Sequence, residues 1–207
     1  MDTIKHVDFW FEKPPGSLIL QQETALLDDV LSAFPGDVLL QVGGPSNMTA
    51  VTSSPIAHKV YASLDGVSTD GVSSFEFDLE ALPLQHESLD CVVVMHALSY
   101  VDEPASFLKK INSCLRPGGK LIVFGFNKYS LWGLARLKRD RNLYPWGGSF
   151  HPLWKVRHWV QHAGLHVLFD QNMCYRGPAV SKQKWQRRRY QEVLGSMLCP
   201  RLSGVYM

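Results

Sequence analysis

The chain is poor in everything that would mark it as disulfide-stapled, membrane-spanning or drawn to a polyanion. Among 207 residues there are four cysteines, Cys91, Cys114, Cys174 and Cys199, and no two share a paired spacing. A disulfide framework or a structural zinc site needs such pairs, so reduced thiols in a cytoplasmic protein are expected. No apolar run approaches the ~20 residues that cross a bilayer, and the amino terminus lacks a signal-peptide pattern. The net charge of +2 gives no global reason to expect nucleic acid or a membrane as partner. Gly43-Gly44 stands without the further glycines of a dinucleotide-binding turn, and there is no internal repeat. What remains is ordinary for a globular protein: 45% hydrophobic and 19% charged residues, in a length that one core can fill. A single domain over residues 1–207 is expected, with 1–36 as a helical extension packed on it and 176–197 as an insert before the last strand.

Inside that length, strand and helix signals alternate. Cys91-Val92-Val93-Val94-Met95 is apolar at every position rather than at alternate ones, so both of its faces must be covered. That is the pattern of a central strand in a parallel sheet. Further strands are expected at residues 38–42, 59–63, 72–77, 120–126, 165–169 and 202–207. One helix is expected over 17–33, with Leu27, Val30, Leu31 and Phe34 on its apolar side. Asp102 is placed to cap another, Glu103 and Pro104 suit its first turn, and Phe107, Leu108, Ile111 and Leu115 form its stripe. Pro117-Gly118-Gly119 stops that helix. Leu131, Leu134, Ala135 and Lys138 suggest a third helix, and Pro152 opens a fourth, with Leu153, Val156, Val160 and Ala163 facing inward until Gly164. The order predicts an α/β fold: a doubly wound, mostly parallel seven-stranded sheet in three α/β/α layers. Residues 204–207 read like the start of a strand, which suggests a shortened chain.

Residues 77–127 are the most specific stretch. An acid at Asp78 precedes Leu82-Pro83-Leu84, Asp90 opens the apolar strand, a helix follows, and Leu115-Arg116-Pro117-Gly118-Gly119 turns into the next strand. This order resembles the second half of a class I S-adenosylmethionine-dependent methyltransferase of the small type 11 kind, with its Rossmann-like sheet. Gly125-Phe126-Asn127, Ser130 and Gly133-Leu134 are similar to a small bacterial subgroup of methyltransferase-like proteins. The resemblance implies methyl transfer from S-adenosylmethionine, with S-adenosylhomocysteine as product, to an acceptor it does not identify.

In a doubly wound sheet the ligand lies beyond the carboxyl ends of the strands. The resemblance places Gln41, Gly43 and Gly44 at the methionine end of the cofactor. It places Asp65, or Ser63 by stricter spacing, on the ribose hydroxyls, which a carboxylate accepts in a bidentate manner. Asp78 and Leu79 fall at the adenine, and His96 along the methionine moiety; the alternatives are a helix or turn cap for Asp78 and a plain hydrogen-bonded histidine for His96. The first turn departs from the family pattern: Gln41 replaces an acid, and Pro45 and Asn47 replace glycines. Gly44 and Asn47 can adopt positive φ, Pro45 removes one backbone donor, and Gln41 would donate where a carboxylate accepts.

Methyl transfer needs a general base only if the acceptor must lose a proton. His96, Asn127, Tyr129 and Tyr144 lie near the expected mouth, and none stands out. His158, His162 and His166 recur every four residues, but Gly164 ends the helix before the third and no acid completes a metal set. The basic and aromatic run from Lys182 to Arg189 reads as a solvated arm or a cover over the acceptor site, with RNA binding as a less favoured alternative. A second reading of the whole chain is a binding module that keeps the fold and has lost the cofactor, motivated by Gln41, Pro45 and Asn47.

Overall fold

The computed structural model describes residues 7–32, 34–63, 73–76, 84–179 and 181–207. Two helices, α1 (Val7–Glu12) and α2 (Gly16–Leu31), precede the sheet. The strands are β1 (Val38–Gly43), β2 (His58–Ser63), β3 (Ser73–Glu76), β4 (Leu89–Met95), β5 (Leu115–Phe126), β6 (Asn172–Met173) and β7 (Val205–Tyr206). The remaining helices are α3 (Pro104–Cys114), α4 (Leu131–Arg136), α5 (Leu153–His162), α6 (Lys182–Arg187) and α7 (Arg189–Leu198). The strands form one sheet in the order β3-β2-β1-β4-β5-β7-β6. The pairs from β3 through β5 are parallel, whereas β7 runs antiparallel to both β5 and β6. The reversal of chain order between β1 and β4 creates the switch point where ligands gather in such sheets.

Composition explains the centre of the sheet. Leu39, Leu40, Val42 and all of Cys91–Met95 are buried, because helices lie on both faces. One face packs on Ile19, Leu27 and Leu31 of α2, the other on Phe107, Leu108 and Ile111 of α3 and Val156 of α5. At the amino ends of the strands, Asp90 is a clasp. Its Oδ2 accepts from the backbone N–H groups of Asp37 and Val38 at 2.8 and 2.9 Å, and Arg116 Nη1 donates to Oδ1 at 2.8 Å. Burial pushes the Asp90 carboxyl up, but these donors outweigh it and hold the group below its ordinary value.

Four local expectations change. Glu103, not Asp102, is the residue before α3, and Pro104 takes the first helical position. The helix ends at Cys114, three residues before Pro117, because Leu115 is already extended and paired with Leu89. In α4 the buried residue is Trp132, while Leu131 and Leu134 face solvent. Ser130 sets this orientation: its Oγ accepts from the N–H groups of Trp132 and Gly133, and a Cβ on Gly133 would lie 1.9 Å from the Lys128 carbonyl oxygen. The expected strand at 165–169 is irregular, with Leu168 72% and Phe169 54% exposed, and the sixth strand is Asn172–Met173. Two residues of β7 reach β5 only at Gly125 and Phe126, so neighbouring strand pairing does not extend to 165–169. A groove of about 830 Å³ lies between them, lined by Lys120, Leu121, Val123 and Leu165, toward the amino half of β5 and away from the switch point.

Candidate functional site

The first turn is tight for reasons visible in its residues. Gly43 and Gly44 both take left-handed backbone, at φ 69° and 73°. A Cβ on Gly44 would lie 2.8 Å from that of Met95, so this position demands glycine twice over. The other left-handed residue of the turn is Met48, at φ 53°, not Asn47. Asn47 instead accepts from the N–H of Thr49 through its side chain.

Gln41 is fully buried at the base of this turn. Its Nε2 donates to the carbonyl oxygens of Gly43 at 2.8 Å and Pro45 at 3.1 Å. The amide thus locks the turn through two acceptors that a carboxylate would repel. Its Oε1 has no hydrogen-bond partner among the described residues. Tyr61 closes the turn from β2, donating its hydroxyl to the carbonyl of Gly44 at 3.2 Å.

The carboxyl end of β4 meets this turn directly. His96 forms a bridge with Gly43, adopts φ 56°, and stacks on Phe126 with ring centroids 4.3 Å apart. Its Nε2 lies 2.8 Å from Glu23 Oε1, and both side chains are fully buried. The contact is short without the alignment of a hydrogen bond, leaving both ring nitrogens and both carboxylate oxygens without a hydrogen-bond partner among the described residues. Glu23 was legible in principle: Ile19, Glu23, Leu27 and Leu31 follow at four-residue spacing, all buried, with one acid in an apolar stripe.

Helix α1 covers the turn. Asp8 accepts from the N–H and the hydroxyl of Ser46, both at 2.7 Å, tying the amino-terminal segment to the first turn. Tyr144 follows from the 142–148 loop, packed on Phe11, Trp10 and Tyr100. Its hydroxyl is buried without a hydrogen-bond partner among the described residues, and burial, followed by Tyr100, Glu23 and Tyr61, raises it well above its ordinary value. Neither Glu23, Asp8 nor Tyr61 was singled out by sequence.

The structure therefore brings Gln41, Gly43, Gly44 and His96 together. Asp65, Asp78 and Leu79 lie outside the described residues, while Ser63 ends β2, buried. Asn127 is occupied in the framework: its Nδ2 donates to the Arg201 carbonyl and its Oδ1 accepts from the Tyr129 N–H. Tyr129 is 54% exposed. No helix among the described residues is long and apolar enough to cross a membrane, and no cluster of three metal-ligating side chains occurs among them.

A seven-stranded sheet of this order, with its last strand reversed and a glycine turn at the switch point, defines the class I S-adenosylmethionine-dependent methyltransferase fold. Residues 36–123 match the family described as Methyltransferase domain. It is 25% identical over 167 residues to the uncharacterized protein YafS of Escherichia coli K12, covering 80% of this chain and 68% of that one. It is 35% identical over 65 residues to the ubiquinone/menaquinone biosynthesis C-methyltransferase UbiE of Hahella chejuensis, covering 31% and 26%. Among solved structures, an S-adenosylmethionine-dependent methyltransferase from Thermotoga maritima superposes with a TM-score of 0.64 at 20% identity, covering 86% of each chain.

Proposed function

We propose that this chain transfers a methyl group from S-adenosylmethionine to an acceptor, with the cofactor seated beyond the carboxyl ends of β1 and β4. The observation that carries this reading is a set of buried polar atoms around the first turn without a hydrogen-bond partner among the described residues: Gln41 Oε1, Glu23 Oε2, His96 Nδ1 and the Tyr144 hydroxyl. Each such atom destabilises a protein by ~1–3 kcal/mol unless something satisfies it. Electron-rich oxygens of Gln41 and Glu23 suit the ammonium and sulfonium of a methionine moiety. The match to a C-methyltransferase over 65 residues supports the same chemistry. Asp78, with Leu79, and Asp65 would hold the adenosine end, as the family resemblance implies.

S-adenosylmethionine supplies a methyl on a cationic sulfur: the acceptor's lone pair bonds to that carbon as the carbon–sulfur bond breaks, leaving its electrons on sulfur. The chain's own part is alignment and exclusion of water, and proximity can lower such barriers by ~7–11 kcal/mol. α1 and α2 seal the crevice with Phe11, Asp8 and Glu23. Tyr144 stays protonated and acts as a donor. The Glu23–His96 couple is where a proton leaving the acceptor would be held. Titration calorimetry with S-adenosylmethionine and S-adenosylhomocysteine tests the reading. Saturable heat is expected with both, reduced when Gln41→Leu removes the free oxygen; silence at millimolar ligand would end the proposal and favour a binding module without cofactor.

A further inference from the structure

A compartment that α1 helps to form shares Tyr144 with the groups assigned above to the cofactor. It is a pocket of about 580 Å³ between α1 and the 139–146 segment, walled by the rings of Phe9, Trp10, Tyr144 and Trp146. Two cations sit at its rim. Lys13 Nζ lies 3.8 Å from the centroid of Phe9, and the Arg139 guanidinium lies 5.6 Å from that of Trp146. Among the described residues, neither has a carboxylate within ion-pair distance. A pocket of that size and composition is in the range that encloses small molecules, which apolar walls desolvate and a few polar groups orient.

Tyr144 joins the two compartments. Its ring is a wall of the pocket and lies 5.8 Å from that of Phe11, whose ring lies 6.1 Å from that of His96 beside the first turn.

We propose that this pocket binds a planar, apolar molecule carrying a negative charge, and that such a ring-bearing anion is the acceptor class. The ligand chemistry follows from the rings and the two rim cations, which complement an anion on an aromatic body. Its role as acceptor rests on the methyltransferase reading above.

The test uses two fluorescent probes with the same rings, 1-anilinonaphthalene-8-sulfonate and uncharged N-phenyl-1-naphthylamine, titrated into the full chain. The sulfonate is expected to bind more tightly, at one site per chain. Lys13→Gln and Arg139→Gln, both at exposed positions, should each weaken the sulfonate by ~2–5-fold and leave the neutral probe unchanged. Phe9→Ala, also exposed, should weaken both probes, whereas Met197→Ala, 74% exposed on α7, should change neither. Equal affinity for the two probes, insensitivity to both charge substitutions, or loss of binding in the α7 variant would each overturn the proposal. So would displacement of the sulfonate by S-adenosylhomocysteine, since that would put the probe in the crevice instead. If the probes behave as expected but calorimetry with the cofactor is silent, the pocket stands and the methyltransferase reading falls.

Discussion

Replacing Gln41 by Glu restores the acid that the family pattern carries near the end of its first strand, and here it should damage the protein. The amide donates to the carbonyls of Gly43 and Pro45, and the side chain is fully buried. A carboxylate has nothing to donate. Two lost hydrogen bonds at ~0.5–1.5 kcal/mol each, with a buried group left unsatisfied at ~1–3 kcal/mol, give a deficit of ~2–6 kcal/mol. For a chain of this length that is a fall in melting temperature of roughly 4–24 °C. The sign of the pH dependence is fixed as well. Burial against two carbonyl oxygens raises the carboxyl in the folded state above its unfolded value of ~4.3. The protonated acid can donate one hydrogen bond, so the deficit is small below pH ~4 and grows as pH rises through the folded value. Thermal unfolding of Gln41→Glu and wild type, scanned in parallel at pH 5 and pH 8, gives the difference at each pH. A deficit that is absent, or the same at both, would show that the amide does not lock the turn.

Two further outcomes follow from groups outside the crevice. Asp90 is held below its ordinary value, so its contribution is present above pH ~4 and lost as pH falls through the folded value. Asp90→Asn should lower stability at pH 7 by ~1.5–3 kcal/mol and flatten its acid dependence, read from urea unfolding at pH 7 and pH 3; parallel curves would contradict the clasp. Cys199 is exposed, whereas Cys91, Cys114 and Cys174 are buried, with burial and then Asp90 pushing the Cys91 thiol up to about 12. A chromogenic disulfide reagent at pH 8 should therefore titrate one thiol in the native protein and four after unfolding. More than one fast native thiol would refute that packing.

The centre of the sheet was legible because burial on both faces writes itself as continuous apolar runs in β1, β4 and β5. The edge was not. An apolar run at 165–169 looks like a strand until pairing is considered, and β7 finds its partner at Asn172 and Met173 instead. The glycine turn could be located from Gly43-Gly44, but its interior could not. Whether Gln41 faces a ligand or its own turn depends on two carbonyls brought back by the chain at Gly43 and Pro45. Asp8 and Glu23 are distant in sequence from the turn they complete, at Ser46 and His96. Only the four-residue spacing of Ile19, Glu23, Leu27 and Leu31 offered a local sign that one acid points inward.

Aromatic rings run from one compartment to the other: His96 on Phe126, Phe126 on Trp132, and Trp132 on Trp146, at centroid separations of 4.3, 5.5 and 5.7 Å. Chromophores this close share their excited states, so the indoles at the centre respond as a unit to a change at either end. The molecule thus carries an intrinsic optical gauge. Near-ultraviolet circular dichroism can follow events beside His96 and beside Trp146 without any label attached.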